Sequence, residues 1–185
     1  MASVRYTVPG LIVPVRQPSG MSCWAAMFTM MYSWKNQVSI PIETAVATLG
    51  PTYLKCYRDD TGLPIEANRQ LAEDAGMVAE GLMNPSIEGW RGLLERNGLL
   101  WTSYGWLMMA PDGMTVQRAG RHIIIFYGID GDGTPGGTQI KYVDPSDGAF
   151  HTMSIDRMVQ QHETGFTMQP LTDRQLGQFS QIMHY

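Results

Sequence analysis

The chain has 185 residues, of which 44% are hydrophobic and 16% charged, with a formal net charge of −4. This length and apolar content predict a single domain over residues 1–185 with a sizeable core. The acidic balance without a basic stripe argues against nucleic-acid binding, and no apolar run approaches the roughly 18 residues of a membrane span, so no membrane partner is expected.

The N-terminal residues predict neither an export signal nor a regular strand. Met1–Tyr6 lacks a charged stretch followed by an apolar one, so we expect no Sec signal peptide. Tyr6–Val15 contains two prolines and predicts a Pro-interrupted edge strand that leads into a loop at Gln17.

The next segment places a cysteine where this loop enters a helix. Pro18–Gly20 are turn formers, and apolar residues then recur at helical spacing, which predicts a helix over Cys23–Trp34. The N-H groups and positive dipole end of a helix N-terminus favour a thiolate. We therefore interpret Cys23 as a nucleophile, with its backbone N-H and the side-chain amide of Gln17 available to an oxyanion. A lone cysteine on an apolar helix is more often a small buried hydrophobe, so the rest of the chain has to decide.

Further helices are predicted at Ile42–Leu49, Ile65–Ala75 and Ile87–Asn97. Ser86 is a plausible N-cap for the last of these, and Gly98 follows its end. The other cysteine, Cys56, is assigned to a polar loop over Lys55–Asp60 with a structural or incidental role.

The composition predicts no disulfide, metal or cofactor. A disulfide between the two cysteines would silence the proposed nucleophile, so both are expected to be reduced. Two cysteines and four scattered histidines show no metal-ligand spacing, so neither a zinc site nor a cofactor is expected.

From Leu99 onward strand signals dominate. His122–Ile129 predicts a buried strand, Asp130–Gly137 a glycine-rich turn and Thr138–Val143 a second strand, which together form an antiparallel hairpin. A loop centred near Gly133 sets Phe126 opposite Ile140, Ile124 opposite Tyr142 and, at the open end, His122 opposite Asp144. A slip of one residue would move Asp144 to the other face.

A thiol nucleophile needs a base, and the base needs an orienting group. His122 and Asp144 each have a bland alternative: a strand histidine bonded to backbone, and a carboxylate that turns the chain before Pro145. Together with Cys23 they complete a Cys-His-Asp arrangement. Helices followed by antiparallel strands indicate an α+β fold.

Three segments resemble signatures of papain-like cysteine proteases, in particular the compact bacterial effector and toxin branch: Gln17–Ala26, Gly120–His122 and Tyr142–Pro145. The family order of oxyanion glutamine, cysteine, histidine and asparagine or aspartate is met by Gln17, Cys23, His122 and Asp144. Ile87–Trp101 and Asp156–Val159 resemble the family's helix-strand unit and its short helix after the aspartate. The resemblance covers about positions 10 to 165, and the stretch after Thr167 has no counterpart.

The resemblance implies a papain-like fold, with an N-terminal helical layer packed on a C-terminal antiparallel sheet and the active site in the cleft between them. It implies a cysteine endopeptidase that takes protein substrates without a cofactor. It further implies a toxin or effector that is made in the bacterial cytoplasm and delivered by a specialised secretion system, or as the excised end of a larger chain. A cognate inhibitor, or immunity protein, would cover the Cys23–His122 cleft in the producing cell.

Two other classes of function remain open. Transglutaminase-like acyl-transfer enzymes and amidases also use Cys, His and Asp in this order, although the Gln17-to-Cys23 spacing favours the protease and the Asp-Cys-Ser-Gly motif of NlpC/P60 amidases is absent. The third possibility is a binding module that kept only the fold. Against it, all four positions of the proposed chemistry hold residues that can carry it out.

Overall fold

The computed structural model describes residues 3–109, 116–168 and 170–185. Within these ranges, the helices are α1 (Cys23–Asn36), α2 (Ile42–Ala47), α3 (Pro51–Arg58), α4 (Asn68–Asp74), α5 (Ile87–Asn97), α6 (Ile155–Met168) and α7 (Asp173–Gln178). A 3-10 turn at Ile65–Ala67 precedes α4. The strands are β1 (Val4–Thr7), β2 (Val78–Ala79), β3 (Leu100–Met109), β4 (Val116–Gly131), β5 (Thr138–Asp144), β6 (Ala149–Ser154) and β7 (Ile182–His184).

The strands form one antiparallel sheet in the order β2-β7-β3-β4-β5-β6. Its longest strand, β4, pairs with β3 along residues 116–126 and with β1 along residues 128–131. This mixture of helices with an antiparallel sheet confirms the α+β prediction. Helices and strands are separated along the chain less completely than the sequence suggested, because strands β1 and β2 come from the N-terminal half.

Helix α1 is the central helix of the core. Each residue from Trp24 to Met31 is buried, so the first two turns have no solvent-facing side. The buried hydroxyl of Thr29 donates a hydrogen bond to the carbonyl of Ala25, one turn earlier in the helix, at 2.7 Å. Contacts of α1 with α2 and β4 fix its orientation, and Cys23 is partly exposed at the N-terminal end of the helix.

Helix α5 begins and ends where the sequence predicted. The hydroxyl of Ser86 accepts from the backbone N-H of Gly89 at 3.1 Å, and Gly98 ends the helix with a φ of 73°. Trp90 on its buried face contacts the ring of Phe126 in β4, edge to face at 5.4 Å between centroids. The helix therefore packs directly on the strand that carries His122.

Two predictions in the N-terminal half were wrong. The edge strand over Tyr6–Val15 ends at Thr7, since Pro9 and then Gly10 with a φ of 100° break the ladder. The polar loop over Lys55–Asp60 is mostly helix α3, so Cys56 is helical. Helix α3 is only eight residues long and mostly polar: Tyr53 is its one buried residue, and Leu54, Cys56 and Tyr57 pack on the core only partly buried.

The C-terminal part extends beyond the prediction. The short helix expected at Asp156–Val159 is the first part of α6, which continues to Met168. Beyond it, β7 inserts between β2 and β3 and buries Ile182 and Met183, a contribution to the core that no motif indicated.

The predicted hairpin exists, but its predicted register was wrong. Ile140 opposes Ile129 and Tyr142 opposes Phe126, with a β-bulge at Tyr127 between them. His122 also lies inside β4, six residues after its start at Val116, and not at the beginning of a strand.

None of the helices in the described ranges is long and apolar enough to cross a membrane.

Gly98→Ala should destabilise the fold markedly. Gly98 has a positive φ, and an added methyl group would overlap the ring of Trp34. We expect the free energy of unfolding to fall by about 2–3 kcal/mol, measured by urea denaturation. Gly136→Ala is the matched control, because a methyl group there meets open space. A loss equal to that of the control would contradict the packing at Gly98.

Candidate active site

Cys23 is the first residue of α1 and is half-buried. The preceding Ser22 makes no side-chain cap to the helix, because its hydroxyl bonds back to Ser19: it donates to the Ser19 carbonyl at 3.0 Å and accepts from the Ser19 N-H at 3.1 Å. The Ser22 side chain thus leaves the first N-H groups of α1, which lie beside the Cys23 sulfur, without a cap. Such groups stabilise negative charge.

His122 and Asp144 form a hydrogen bond of 2.7 Å between Nε2 and Oδ1. Both side chains are largely shielded, with 15% and 16% of their surface exposed. The same Asp144 oxygen accepts from the backbone N-H of Ser146 at 2.8 Å, which fixes the carboxylate at the start of the following turn. With Nε2 engaged, Nδ1 is the ring nitrogen left for a reacting group.

In the His122–Asp144 pair, each group favours the charged form of the other. Burial alone lowers the pKa of His122, but hydrogen bonding to Asp144 and Cys23, with the negative charge of both, outweighs it and raises the pKa to about 9. Burial likewise raises the pKa of Asp144, but the hydrogen bonds from His122 and Ser146 and the charge of His122 prevail and lower it to about 2. At neutral pH the site therefore holds an imidazolium against a carboxylate.

Cys23 and His122 line one cleft of about 640 Å³. One side is built by the start of α1 with the loop before it and by the segment after α3, and the other side by β3, β4 and Phe179. Its lining residues are Gly20, Met21, Cys23, Trp24, Thr61, Gly62, Leu63, Pro64, Ile65, Asn68, Ser103, Gly120, Arg121, His122, Ile123 and Phe179. A chain lying in this cleft would pass both the thiol and the imidazole.

Gln17 belongs to the same loop as the cleft-lining residues Gly20 and Met21, and its amide bonds inside that loop. Nε2 donates to the carbonyl of Ser19 at 2.7 Å and to that of Gly20 at 3.4 Å. Oε1 is buried, with no hydrogen-bond partner among the described residues. The backbone N-H of Gln17 donates to the carbonyl of Pro145 at 2.7 Å, so the loop is tied to the turn that follows Asp144.

The turn after Asp144 contains a second carboxylate, Asp147, which does not reach the site. Its Oδ2 lies 2.9 Å from Nε2 of His151, and this pair is exposed. The His151 ring stacks on Tyr142 at 5.4 Å between centroids. The structure thus brings Asp144, and not Asp147, to His122.

Sequence reasoning missed the segment after α3 as a wall of the cleft. Cys56 in α3 has a free thiol that donates to the carbonyl of Gly62 at 2.6 Å, and Asp60 bonds to the loop before Cys23. No chemical motif marks these residues, and their placement depends on helix α3, which the apolar pattern did not reveal.

No group of three or more His, Cys, Asp or Glu side chains within the described ranges is arranged to hold a metal ion.

Comparison with protein families gives one match, to the family described as papain-like cysteine protease AvrRpt2, over residues 2–163. A search of curated proteins finds no match. The matched segment contains the start of α1, the β4–β5 hairpin and the segment after α3.

The pKa of His122 should depend on Asp144. Replacing the carboxylate in Asp144→Asn removes a negative charge that favours the imidazolium, so the pKa is expected to fall from about 9. NMR titration of the ring protons measures this directly, with His122→Ala to assign the signal. An unchanged midpoint in Asp144→Asn would show that the carboxylate does not act on the ring.

Proposed function

The chain belongs to this family of papain-like cysteine proteases and is therefore a hydrolase, and we propose that it is an endopeptidase that acts through Cys23, His122 and Asp144. The observation that carries the proposal is the 2.7 Å bond between His122 and Asp144, in a cleft that Cys23 also lines. Protein substrates follow from the family.

In this mechanism the sulfur of Cys23 attacks the carbonyl carbon of the scissile peptide bond. Before the attack, Nδ1 of His122, held at Nε2 by Asp144, has accepted the thiol proton, which gives the imidazolium of the resting site, and it then returns this proton to the leaving amine. A thioester with Cys23 results, and water that gives its proton to the same nitrogen hydrolyses it. The carboxylate of Asp144 keeps the ring oriented and stabilises its charged form.

The oxyanion would be held by the backbone N-H of Cys23 and by Nε2 of Gln17. The bond from Nε2 to the Gly20 carbonyl is long, at 3.4 Å, whereas the bond to the Ser19 carbonyl is 2.7 Å. Giving up the longer bond would free one amide hydrogen for the oxyanion while Ser19 keeps the other. The bond that is lost is the weaker of the two.

Cys23→Ala should abolish proteolysis and leave the fold intact, because a thiol-to-methyl change at the helix start alters little packing. We expect a loss of about 10³-fold or more. Wild type and variant are expressed in bacterial cells and new protein N-termini are mapped proteome-wide.

Cys56→Ser is the matched control, since it removes the second thiol but keeps a hydrogen-bond donor to the Gly62 carbonyl, and its cleavage pattern should resemble the wild type's. Cleavage by Cys23→Ala at the wild-type rate would exclude this mechanism. An added amine donor tests the acyl-transfer alternative, which predicts cross-linked amine instead of new N-termini.

Gln17→Ala should lower kcat with little change in KM, because the amide would act on charge that exists only in the transition state. One oxyanion donor contributes about 3 kcal/mol, or about a hundredfold in rate. Single-turnover cleavage of a peptide found in the N-terminal mapping measures it. A variant as fast as the wild type would remove Gln17 from the oxyanion site.

We also propose that the protein is a bacterial effector or toxin, delivered into a target cell by a specialised secretion system and restrained by a cognate inhibitor that covers the cleft. Support comes from the family, which is that of an effector protease, and from the partly exposed position of Cys23 in the cleft. Within the producing cell an inhibitor would have to cover such a cleft, because the protease would otherwise cleave that cell's own proteins.

Induction of the wild-type gene alone in the bacterial cytoplasm should therefore reduce survival relative to Cys23→Ala. Colony counts at equal protein levels give the measurement. Equal growth of the two strains would contradict a toxin for that host, and the same comparison in a eukaryotic cell tests an effector aimed at that target.

A further inference from the structure

Asp60 bonds to the loop before the nucleophile with a single carboxylate oxygen. Its Oδ1 accepts from the hydroxyl of Ser19 at 2.6 Å and from the backbone N-H of Met21 at 3.1 Å. Hydrogen bonds to a carboxylate are shorter and stronger than those between neutral groups. A residue far away in the sequence thus fixes the middle of the segment Gln17–Ser22, the nucleophile loop.

The nucleophile loop carries the groups proposed to hold the oxyanion. The carbonyl of Ser19 holds Nε2 of Gln17 at 2.7 Å, and the hydroxyl of Ser22 closes the turn onto Ser19. The carbonyl of Ser22 then accepts the first backbone bonds of α1, from Ala25 and Ala26 at 3.1 Å each. A shift of Ser19 would therefore move the Gln17 amide and the start of the helix together.

The backbone of Asp60 shows that its side chain matters. Asp60 follows the C-cap residue of α3 and has a φ of 50°, in the left-handed region. Glycine is the usual residue at this position, because other residues carry a cost of about 1 kcal/mol there. Since glycine would satisfy the backbone better, the carboxylate supplies something that the turn itself does not need.

Asp60 is also held rigidly. Its N-H donates to the carbonyl of Tyr57 at 3.2 Å, and the thiol of Cys56 fixes the carbonyl of Gly62 just beyond it. Gly62 in turn packs closely on Met21. A Cβ added to Gly62 would lie 2.7 Å from the terminal methyl group of Met21. Helix α3 therefore acts as a fixed support from which Asp60 reaches the nucleophile loop.

We propose that Asp60 is a positioning residue of the protease, which holds the nucleophile loop so that the Gln17 amide and the Cys23 N-H meet the oxyanion. This rests on the proposed function. Its effect passes through Ser19 and Met21, so it should appear in the transition state and not in substrate binding.

Three variants test the proposal. Asp60→Gly removes the carboxylate and relaxes the backbone, so stability should be kept while kcat falls about tenfold or more and KM stays within about twofold. Asp60→Asn keeps an acceptor oxygen and tolerates the left-handed conformation, so its kcat should lie within about threefold of the wild type's. Asp59→Asn is the control next to it, because Asp59 bonds Lys55 and not the loop.

The assay is single-turnover cleavage of a peptide whose cut depends on Cys23. Asp60→Gly should cost less rate when Gln17→Ala is already present than it does in the wild type, because the Gln17 amide is one of the two donors that Asp60 holds in place. Hydrogen exchange of the Met21 amide should be faster in Asp60→Gly than in the wild type, with or without a substrate.

Wild-type kcat in Asp60→Gly, or fully additive losses with Gln17→Ala, would overturn the proposal. So would unchanged protection of the Met21 amide. Absence of any Cys23-dependent cleavage would instead reject the proposed function, and the exchange measurement would still report whether Asp60 holds the loop.

Discussion

The site depends on one hydrogen bond between neighbouring strands, from His122 in β4 to Asp144 in β5, and that bond depends on a bulge. Near the turn the ladder pairs Gly128 with Lys141. Continued without interruption, this register would set Tyr127 opposite Tyr142 and turn Asp144 to the face away from His122. The bulge at Tyr127 shifts the pairing by one residue, so Phe126 meets Tyr142. Both members of the pair then share a face, and the imidazole reaches the carboxylate along the diagonal.

The bulge is itself supported from the other edge of β4. The carbonyl of Tyr127 accepts from the N-H of Val8 at 2.8 Å, and its ring contacts Phe150 edge to face. The chain that leaves Val8 reaches Gln17, whose N-H returns to the carbonyl of Pro145 behind Asp144. The N-terminal segment thus touches the hairpin at the bulge and again beyond the carboxylate. This links the loop of the nucleophile to the position of the base.

The sequence was sufficient for features determined by local chemistry. The capped helix α5 and the turn before Cys23 follow from residue types at short spacing. The contact of His122 with Asp144 was predicted from a register that was wrong by two residues at that end. Because a shift of two residues leaves each side chain on the same face of the sheet, the contact forms despite the wrong register. The bulge, the insertion of β7 and the inward-facing amide of Gln17 are set by tertiary packing, for which no local pattern exists. Helix α3 was missed because it is only eight residues long and mostly polar, so its partly buried face gives too short a pattern to mark a helix.

The proposed nucleophile and the proposed base come from separate elements, and the core between them brings them together. Cys23 is fixed by α1, whose side chains from Trp24 to Met31 are buried, while His122 lies on a strand whose next residues, Ile124 to Phe126, are buried as well. α1 packs on β4 directly, so the two reactive groups meet only when this interface has formed. A substitution inside the interface acts on activity through the fraction of folded protein. A substitution in the nucleophile loop, which lies outside the interface, acts through the geometry of the folded site. Stability and turnover must therefore be measured on the same variant before a loss of activity can be assigned to the chemistry.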